Sequence, residues 1–595
     1  MPERESSHRY SHLAPTIDEA SISLDRVLRF FGVKAFGGFI LKNRSIWFLI
    51  VLVTAGTVWF TYYNSTFQHL FLNDAMDYAS IGRNIASGDG FISSYITPLS
   101  LANFQGIPHP DLWRAPFWPL ILAFFIKIFG ATDQAVAIAT GCFYIAGAGL
   151  VFLAASELFD SLVGFVSALI YIFSAQNLVN SVSGMTEAVS VFMMLLSLYL
   201  IYASWARSPL GEILAGAAMG IFYLTRYNAL LFLPFFVLYL WYTRAKSQKQ
   251  NNHSYEYNYK RNYNINRIKP MPRKRGWALW SVARYLAAFV VVVSPWLLRN
   301  YVLMGNPLFS LQQYEPVMFT TTYPGYSLYM MFEKVKAVGF MLSHPQEIWA
   351  KVLIGWAQFK TTVAFPEFTG VSPYLFLSFL ISMFIPFSNG YGSKHKGIMP
   401  LLAACFAVQL AALLVVHYIG RLFIIFMPFY IIFGIAVPVW FCKRVWVRAD
   451  NARRVVTIAL LAVLAGFFIY GNLPVWEDRR PGDMPITVLR ESVKEVTDLS
   501  TKKDLIISND GHLLAWYGDR YAAKLPYKVD MIPEMAKLAP LKFIYLSSRV
   551  SWNIPEADES WNQLFWKRPK EIYGFELISK SSDGSLIYRK KAEAR

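Results

Sequence analysis

Seven ionisable residues stand at the ends of long apolar stretches, where a lipid-embedded chain has little reason to keep charge. Three are carboxylates, Asp74, Asp77 and Glu187, and four are guanidiniums, Arg114, Arg226, Arg299 and Arg421. A carboxylate at a membrane edge can take a proton from a hydroxyl or hold a divalent cation. A guanidinium fork binds phosphate bidentately and stays charged. Asp74 and Asp77 fall in Asn73-Asp74-Ala75-Met76-Asp77-Tyr78-Ala79-Ser80-Ile81-Gly82, whose apolar spacing predicts an amphipathic helix lying on the membrane, with Asn73 or Asp74 as its N-cap. Each residue also has an ordinary use: an acid caps a helix, and an arginine snorkels from a helix end. Together they supply the charges of a polar site at one face of the chain.

The chain that must position them is a membrane protein. Of its 595 residues 55% are hydrophobic, 17% aromatic and 16% charged, against about 25% charged in soluble globular chains. The net charge of +18 concentrates beside apolar stretches, which points to anionic membrane lipid and away from nucleic acid. Cys142, Cys405 and Cys442 show neither disulfide nor zinc spacing. Eleven stretches approach the ~20 apolar residues that a crossing helix needs: 46–63, 134–156, 162–181, 187–205, 210–225, 228–243, 278–297, 371–388, 398–416, 421–441 and 455–473. A twelfth, 116–129, is short and carries Pro119 and Lys127; it reads as a juxtamembrane or re-entrant helix.

Charge sets the sidedness. Residues 244–275 hold ten Lys or Arg and a single acid, Glu256, so loop 244–276 belongs in the cytoplasm. The basic N-terminal segment, Lys394 with Lys396, and the basic run within 443–454 agree only if 116–129 does not cross. The expected organisation is a cytoplasmic segment 1–45, a transmembrane domain 46–473 with a first outer loop 64–132, and an extracytoplasmic domain 474–595; residues 251–263 read as a linker. The last domain reads as α/β, with strand-like 505–508, helix-like 511–517, strands near 521–525 and 542–546, and a hairpin of 575–579 with 586–589. The fold class is therefore an all-α polytopic membrane protein in the cell membrane, with about eleven transmembrane helices, outer juxtamembrane helices and a small C-terminal α/β domain. All seven candidate residues then share the outer face.

The ordered succession of "DAMDYASIGRNIASGDGF" from Asp74, "RAPFWPLILAFFIKIFG" from Arg114, "MTEAVSVFMMLLSLYL" from Met185, "LAGAAMGIFYLTRYNALLFLP" from Leu214, "PWLLRNYVLMGNPLF" from Pro295 and "GRLFIIFMPF" from Gly420 resembles the GT-C class of integral membrane glycosyltransferases, such as aminoarabinose transferases and protein O-mannosyltransferases. The resemblance implies a polyprenyl-phosphate-linked sugar donor entering from the outer leaflet and a lipid, glycan or protein acceptor. It implies a catalytic Asp at Asp74, a base against the donor phosphate at Arg114, an acid at Glu187, and further phosphate ligands at Arg226, Arg299 and Arg421. Where the class has a second acid directly after the first, this chain has Ala75, so Asp74 and Asp77 both stand as candidate bases.

The residue types suit that chemistry. A sugar held through phosphate has a good leaving group, so the site must neutralise charge as the bond breaks, while a carboxylate takes the acceptor proton. In-line attack inverts the anomeric centre. Asp74, Asp77 and Glu187 are also oxygen ligands suited to magnesium or manganese, and the cofactor stays open. A transporter or flippase of lipid-linked saccharides is the rival reading, opposed by the lack of an inverted repeat and of ionisable residues in the middle of most stretches. An oligosaccharyltransferase or polymerase is the other.

Overall fold

The computed structural model describes residues 44–203, 208–246, 276–362, 373–385, 387, 395–441, 459–460, 462–468, 470, 485–548, 557–580 and 583–591. Almost all of segment 1–45, most of loop 244–276 with its linker, the basic run within 443–454 and much of stretch 455–473 lie outside the described residues.

The main helices are α1 (Arg44–Thr66), α2 (Asn73–Ser87), α3 (Phe117–Phe129), α4 (Asp133–Leu158), α5 (Ser161–Phe173), α6 (Ala175–Val182), α7 (Glu187–Tyr202), α8 (Pro209–Thr225), α9 (233–246), α10 (Trp277–Met304), α11 (Pro345–Thr362), α12 (Pro373–Ser382), α13 (His395–Val416) and α14 (Met427–Phe441). Among the described residues, length and composition support five full crossings, or six if α5 and α6, bent by 61°, form one span; Phe117–Phe129, Glu187–Tyr202, Pro209–Thr225 and Pro373–Ser382 are apolar but shorter. The sequence reading expects eleven, because hydropathy runs on through places where the backbone breaks. Stretch 162–181 is interrupted at Ser174, while 228–243 and 421–441 begin as the 3-10 turns Tyr227–Phe232 and Gly420–Phe426. Pro234 and Pro428 follow those two turns, each fitting the first turn of the next helix, where its missing N–H has no partner to lose.

Helix α3 has 13 residues, a length of about 20 Å that falls short of the ~30 Å hydrocarbon layer. Its Leu120, Phe124 and Ile128 are exposed, while Trp118, Leu122 and Ile126 are buried. The buried side packs on α2 across Gly82, where a Cβ would lie 2.9 Å from Leu122 Cβ and 3.3 Å from the Pro119 carbonyl oxygen. Gly82→Val is therefore expected to cost about 1–3 kcal/mol by overpacking. Gly56→Val, at a position with nothing within 4 Å, is the matched control; melting of both variants in detergent checks the difference.

The C-terminal unit is α/β, with strands at Leu505–Ser508, Tyr521–Lys524 and Leu541–Leu546 and an antiparallel pair of Phe575–Lys580 with Leu586–Lys590. Naming β1 (Ile92–Ser93), β2 (Tyr95–Ile96), β3 (His109–Pro110), β4 (Leu505–Ser508), β5 (Tyr521–Lys524), β6 (Leu541–Leu546), β7 (Glu571–Ile572), β8 (Phe575–Lys580) and β9 (Leu586–Lys590), the sheet order is β2-β5-β4-β6-β9-β8-β7. The sheet is thus not confined to 474–595. β2 comes from the loop after α2 and pairs parallel with β5, Tyr95 opposite Ala522 and Ile96 opposite Ala523. It covers backbone groups of β5 that would otherwise form an open edge.

Candidate active site

Helix α2 opens without a side-chain cap: Leu72, in extended conformation, is the N-cap residue. Neither Asn73 nor Asp74 takes the expected capping role. Nor does the helix merely lie on a surface, since Ala75, Met76, Asp77, Ala79, Ser80, Ile81, Gly82 and Asn84 are all buried. Freed from capping, Asp74 turns with Asp77 toward Arg114. Arg114 Nε donates to Asp77 Oδ2 at 2.6 Å and Nη2 to Asp74 Oδ1 at 2.8 Å. The guanidinium also lies 4.8 Å from the Tyr78 ring and 4.7 Å from the Trp113 ring, a cation–π setting that holds a buried charge in place.

Asp111 fixes the backbone that presents Arg114. Its Oδ1 accepts from the N–H groups of Trp113, at 3.1 Å, and Arg114, at 2.7 Å, the turn that aspartate makes with its own following backbone. On the other side, Gly184 (φ +75°) turns the chain into α7, where a Cβ would meet Val136, Leu70 and Ala75 at 2.8 to 3.1 Å. Glu187, first residue of α7, then reaches Arg226 at the end of α8: Arg226 Nη2 to Glu187 Oε1 is 2.8 Å, and Arg226 Nε donates to Thr186 Oγ1 at 2.8 Å.

Arg421, at the start of the turn Gly420–Phe426, links the two pairs. Its Nη2 is 3.4 Å from Asp74 Oδ2 and its Nε 3.9 Å from Glu187 Oε1. The result is a continuous chain of charge, Asp77–Arg114–Asp74–Arg421–Glu187–Arg226. Side-chain exposure separates its members: Asp74 is 35% and Arg421 46% exposed, while Asp77 is 2%, Glu187 4% and Arg114 7% exposed. Only the Asp74–Arg421 pair stands open to a ligand.

Two expectations change here. Arg114 spends its Nε and Nη2 on carboxylates, so it holds the acids in place and does not offer a free fork to phosphate. Arg299 is not part of the chain: its donors go to the Asp111 carbonyl oxygen, at 2.6 Å, and to Asn300, at 3.0 Å, and it stacks 4.5 Å from the Trp296 ring. It braces the Asp111 loop from behind. Asp74, Asp77 and Glu187 also fail to converge as metal ligands, since the oxygens nearest one another are occupied by guanidiniums. Among the described residues no three His, Cys, Asp or Glu side chains group to hold a metal, and this arrangement does not fit the divalent cation considered from the sequence.

The environment separates the two aspartates. Burial pushes Asp74 up, but Arg114, by charge and hydrogen bond, together with Arg421 outweighs it and holds the carboxyl below the usual range. For Asp77, burial prevails over Arg114, and nearby Asp111 adds to it, raising the group to about 7. Its Oδ1 is buried without a hydrogen-bond partner among the described residues. Asp74 is thus the ionised, reachable acid.

Three further residues belong to the neighbourhood and escaped the sequence reading. Asp111 could have been suspected from its turn position before Trp113-Arg114. Glu315 accepts from the Tyr329 hydroxyl at 2.9 Å and is raised to about 7 by burial, with Arg114 and Asp74 both acting on it. His512 reaches Asp74 and Arg114 electrostatically from the C-terminal unit. Nothing local marks either of the last two, because each is brought in by long-range folding.

Residues 109–256, which include Arg114, Glu187 and Arg226, match the family model PMT_2, dolichyl-phosphate-mannose-protein mannosyltransferase. The structure of ArnT from Cupriavidus metallidurans bound to undecaprenyl phosphate aligns with TM-score 0.52 over 92% of this chain and 98% of that one, at 12% identity. The chain has the GT-C fold. AglB, the oligosaccharyltransferase of Archaeoglobus fulgidus, in complex with an inhibitory peptide and a dolichol-phosphate, aligns with this GT-C chain at TM-score 0.50 and 14% identity, over 92% of this chain and 74% of its own. No curated protein matches the sequence.

Proposed function

We propose that this GT-C protein is a membrane glycosyltransferase that moves one sugar, with inversion, from a polyprenyl-phosphate donor to a lipid, glycan or protein acceptor on the extracytoplasmic face. The observation that carries the reading is the open Asp74–Arg421 pair at the centre of an otherwise buried chain of charge. Arg421 contacts its carboxylates at 3.4 and 3.9 Å, longer than the 2.7–2.9 Å of a tight charge-assisted bond. A donor phosphate can therefore take the Arg421 fork without breaking a strong pair. Arg226, held on Glu187, adds charge beside it. The undecaprenyl phosphate and dolichol-phosphate in the ArnT and AglB structures are ligands of the class this pair would receive.

In the reaction the acceptor oxygen bonds to the anomeric carbon as the bond from that carbon to the phosphate oxygen breaks. The electron pair leaves with the lipid phosphate, whose charge Arg421 and Arg226 stabilise. Asp74 takes the acceptor proton; Arg114 keeps it ionised and aimed. The basic loop 244–276 favours a cytoplasmic N-terminus and an extracytoplasmic site.

Purified protein given polyprenyl-phosphate sugars should yield a product whose mass shift names the sugar and whose NMR coupling shows inverted configuration; a retained configuration contradicts the single displacement. Arg421→Gln is expected to lower kcat/KM by about 100-fold, with the rise in donor KM measured in the same assay.

A further inference from the structure

The C-terminal unit is tied to the helix that carries Asp74. Beyond the shared strand β2, its short helix α15 (Gly511–Trp516) lies against α2. Arg83, on α2, donates to the carbonyl oxygens of Ala515 and Trp516 at 2.7 Å each and pairs with Asp519 at 2.9 Å. Asp133, in the first turn of α4, accepts from Trp516 Nε1 at 2.6 Å and from the Tyr517 hydroxyl at 2.8 Å. Charge-assisted bonds thus anchor this end of α15 from two different helices.

The other end of α15 is packed without slack. A Cβ at Gly511 would lie 2.7 Å from the Tyr95 ring, and the His512 imidazole stacks on that same ring, centroids 3.6 Å apart and planes 28° from parallel. Tyr95 belongs to β2, so the ring platform and the clamp are parts of one joint. The charged groups acting on His512 are Asp74, Arg114 and Lys524. Burial comes first, and despite the pull of Asp74 it pushes the imidazole down to about 3. At working pH the ring is neutral; it can confine a carboxylate without quenching its charge.

We infer that the C-terminal unit completes the active site by holding His512 as a positioning residue, which restricts the movement and solvation of Asp74. The inference rests on the reading of Asp74 as the base. Misplacing a catalytic group by about 1 Å can cost on the order of 100-fold in rate, and that is the loss a freed Asp74 would show.

The test uses full-length protein with His512→Ala, His512→Gln and Arg83→Met. His512→Ala should lower kcat by about 10- to 100-fold while donor KM stays within about twofold. His512→Gln, which restores a neutral polar group of similar reach, should recover much of that loss, which a purely structural defect would not allow. Arg83→Met should reproduce the His512→Ala kinetics from outside the site. Carbodiimide labelling of Asp74, mapped by mass spectrometry, should rise in both His512→Ala and Arg83→Met. Unchanged labelling in His512→Ala would overturn the inference whatever the activity. If the wild-type protein transfers no sugar, the transferase reading fails, while the labelling still decides whether His512 confines Asp74.

Discussion

Asp74→Asn is expected to abolish sugar transfer, with kcat reduced by about 100- to 10,000-fold, the range contributed by a positioned general base. The variant should insert and fold, because Arg114 keeps its 2.6 Å bond to Asp77 and Arg421 keeps Glu187. The effect therefore belongs to chemistry and not to stability, and parallel melting curves check that. Asp77→Asn, at a buried position, should retain far more activity than Asp74→Asn; the opposite order would move the base to Asp77. The pH dependence carries a sign as well. Since Arg114 and Arg421 hold Asp74 below the usual range, it stays ionised as pH falls through about 4, where a free aspartate protonates. The acid limb of kcat/KM should lie lower still. In Arg421→Gln one of the depressing charges is gone, and the limb should move upward.

Arg114→Met should have the largest effect on the fold. Arg114 is the partner of Asp77, 2% exposed, and of Asp74, and it stands beside buried Asp111. Removing one member of a buried pair costs about 3–5 kcal/mol, because the other charge is left uncompensated in a poor solvent. The variant should melt well below wild type in detergent and show no transfer. Adding Asp77→Asn should restore much of the stability, since the orphaned carboxylate is then gone, but not the activity, since Asp74 has lost the charge that keeps it aimed. Equal melting of the single and double variants would show that the Asp77–Arg114 pair is not the source of the cost. A melting point for Arg114→Met unchanged from wild type would remove the clamp from the account altogether.

These expectations divide along a line set by the range of the forces involved. Hydropathy and periodicity are properties of neighbouring residues, and from them the membrane class, the helix holding Asp74 and Asp77, the short helix at 117–129 and the C-terminal strands could be read. The inventory of carboxylates and arginines at helix ends was legible for the same reason, since charge in an apolar chain is conspicuous wherever it falls. Crossing number was not, because a break such as the one at Ser174 leaves hydropathy unchanged. Pairing was not legible either. An ion pair is decided over a few ångströms between groups that can be hundreds of residues apart: Arg114 closes on Asp74 and Asp77, Arg421 bridges Asp74 to Glu187, and Arg299, equally promising as a charge at a helix end, turns to the Asp111 carbonyl. His512 shows the limit most plainly. Its place beside Asp74 follows from a strand joining a distant sheet and from Arg83 gripping the end of a helix, contacts that exist only once the tertiary fold has formed.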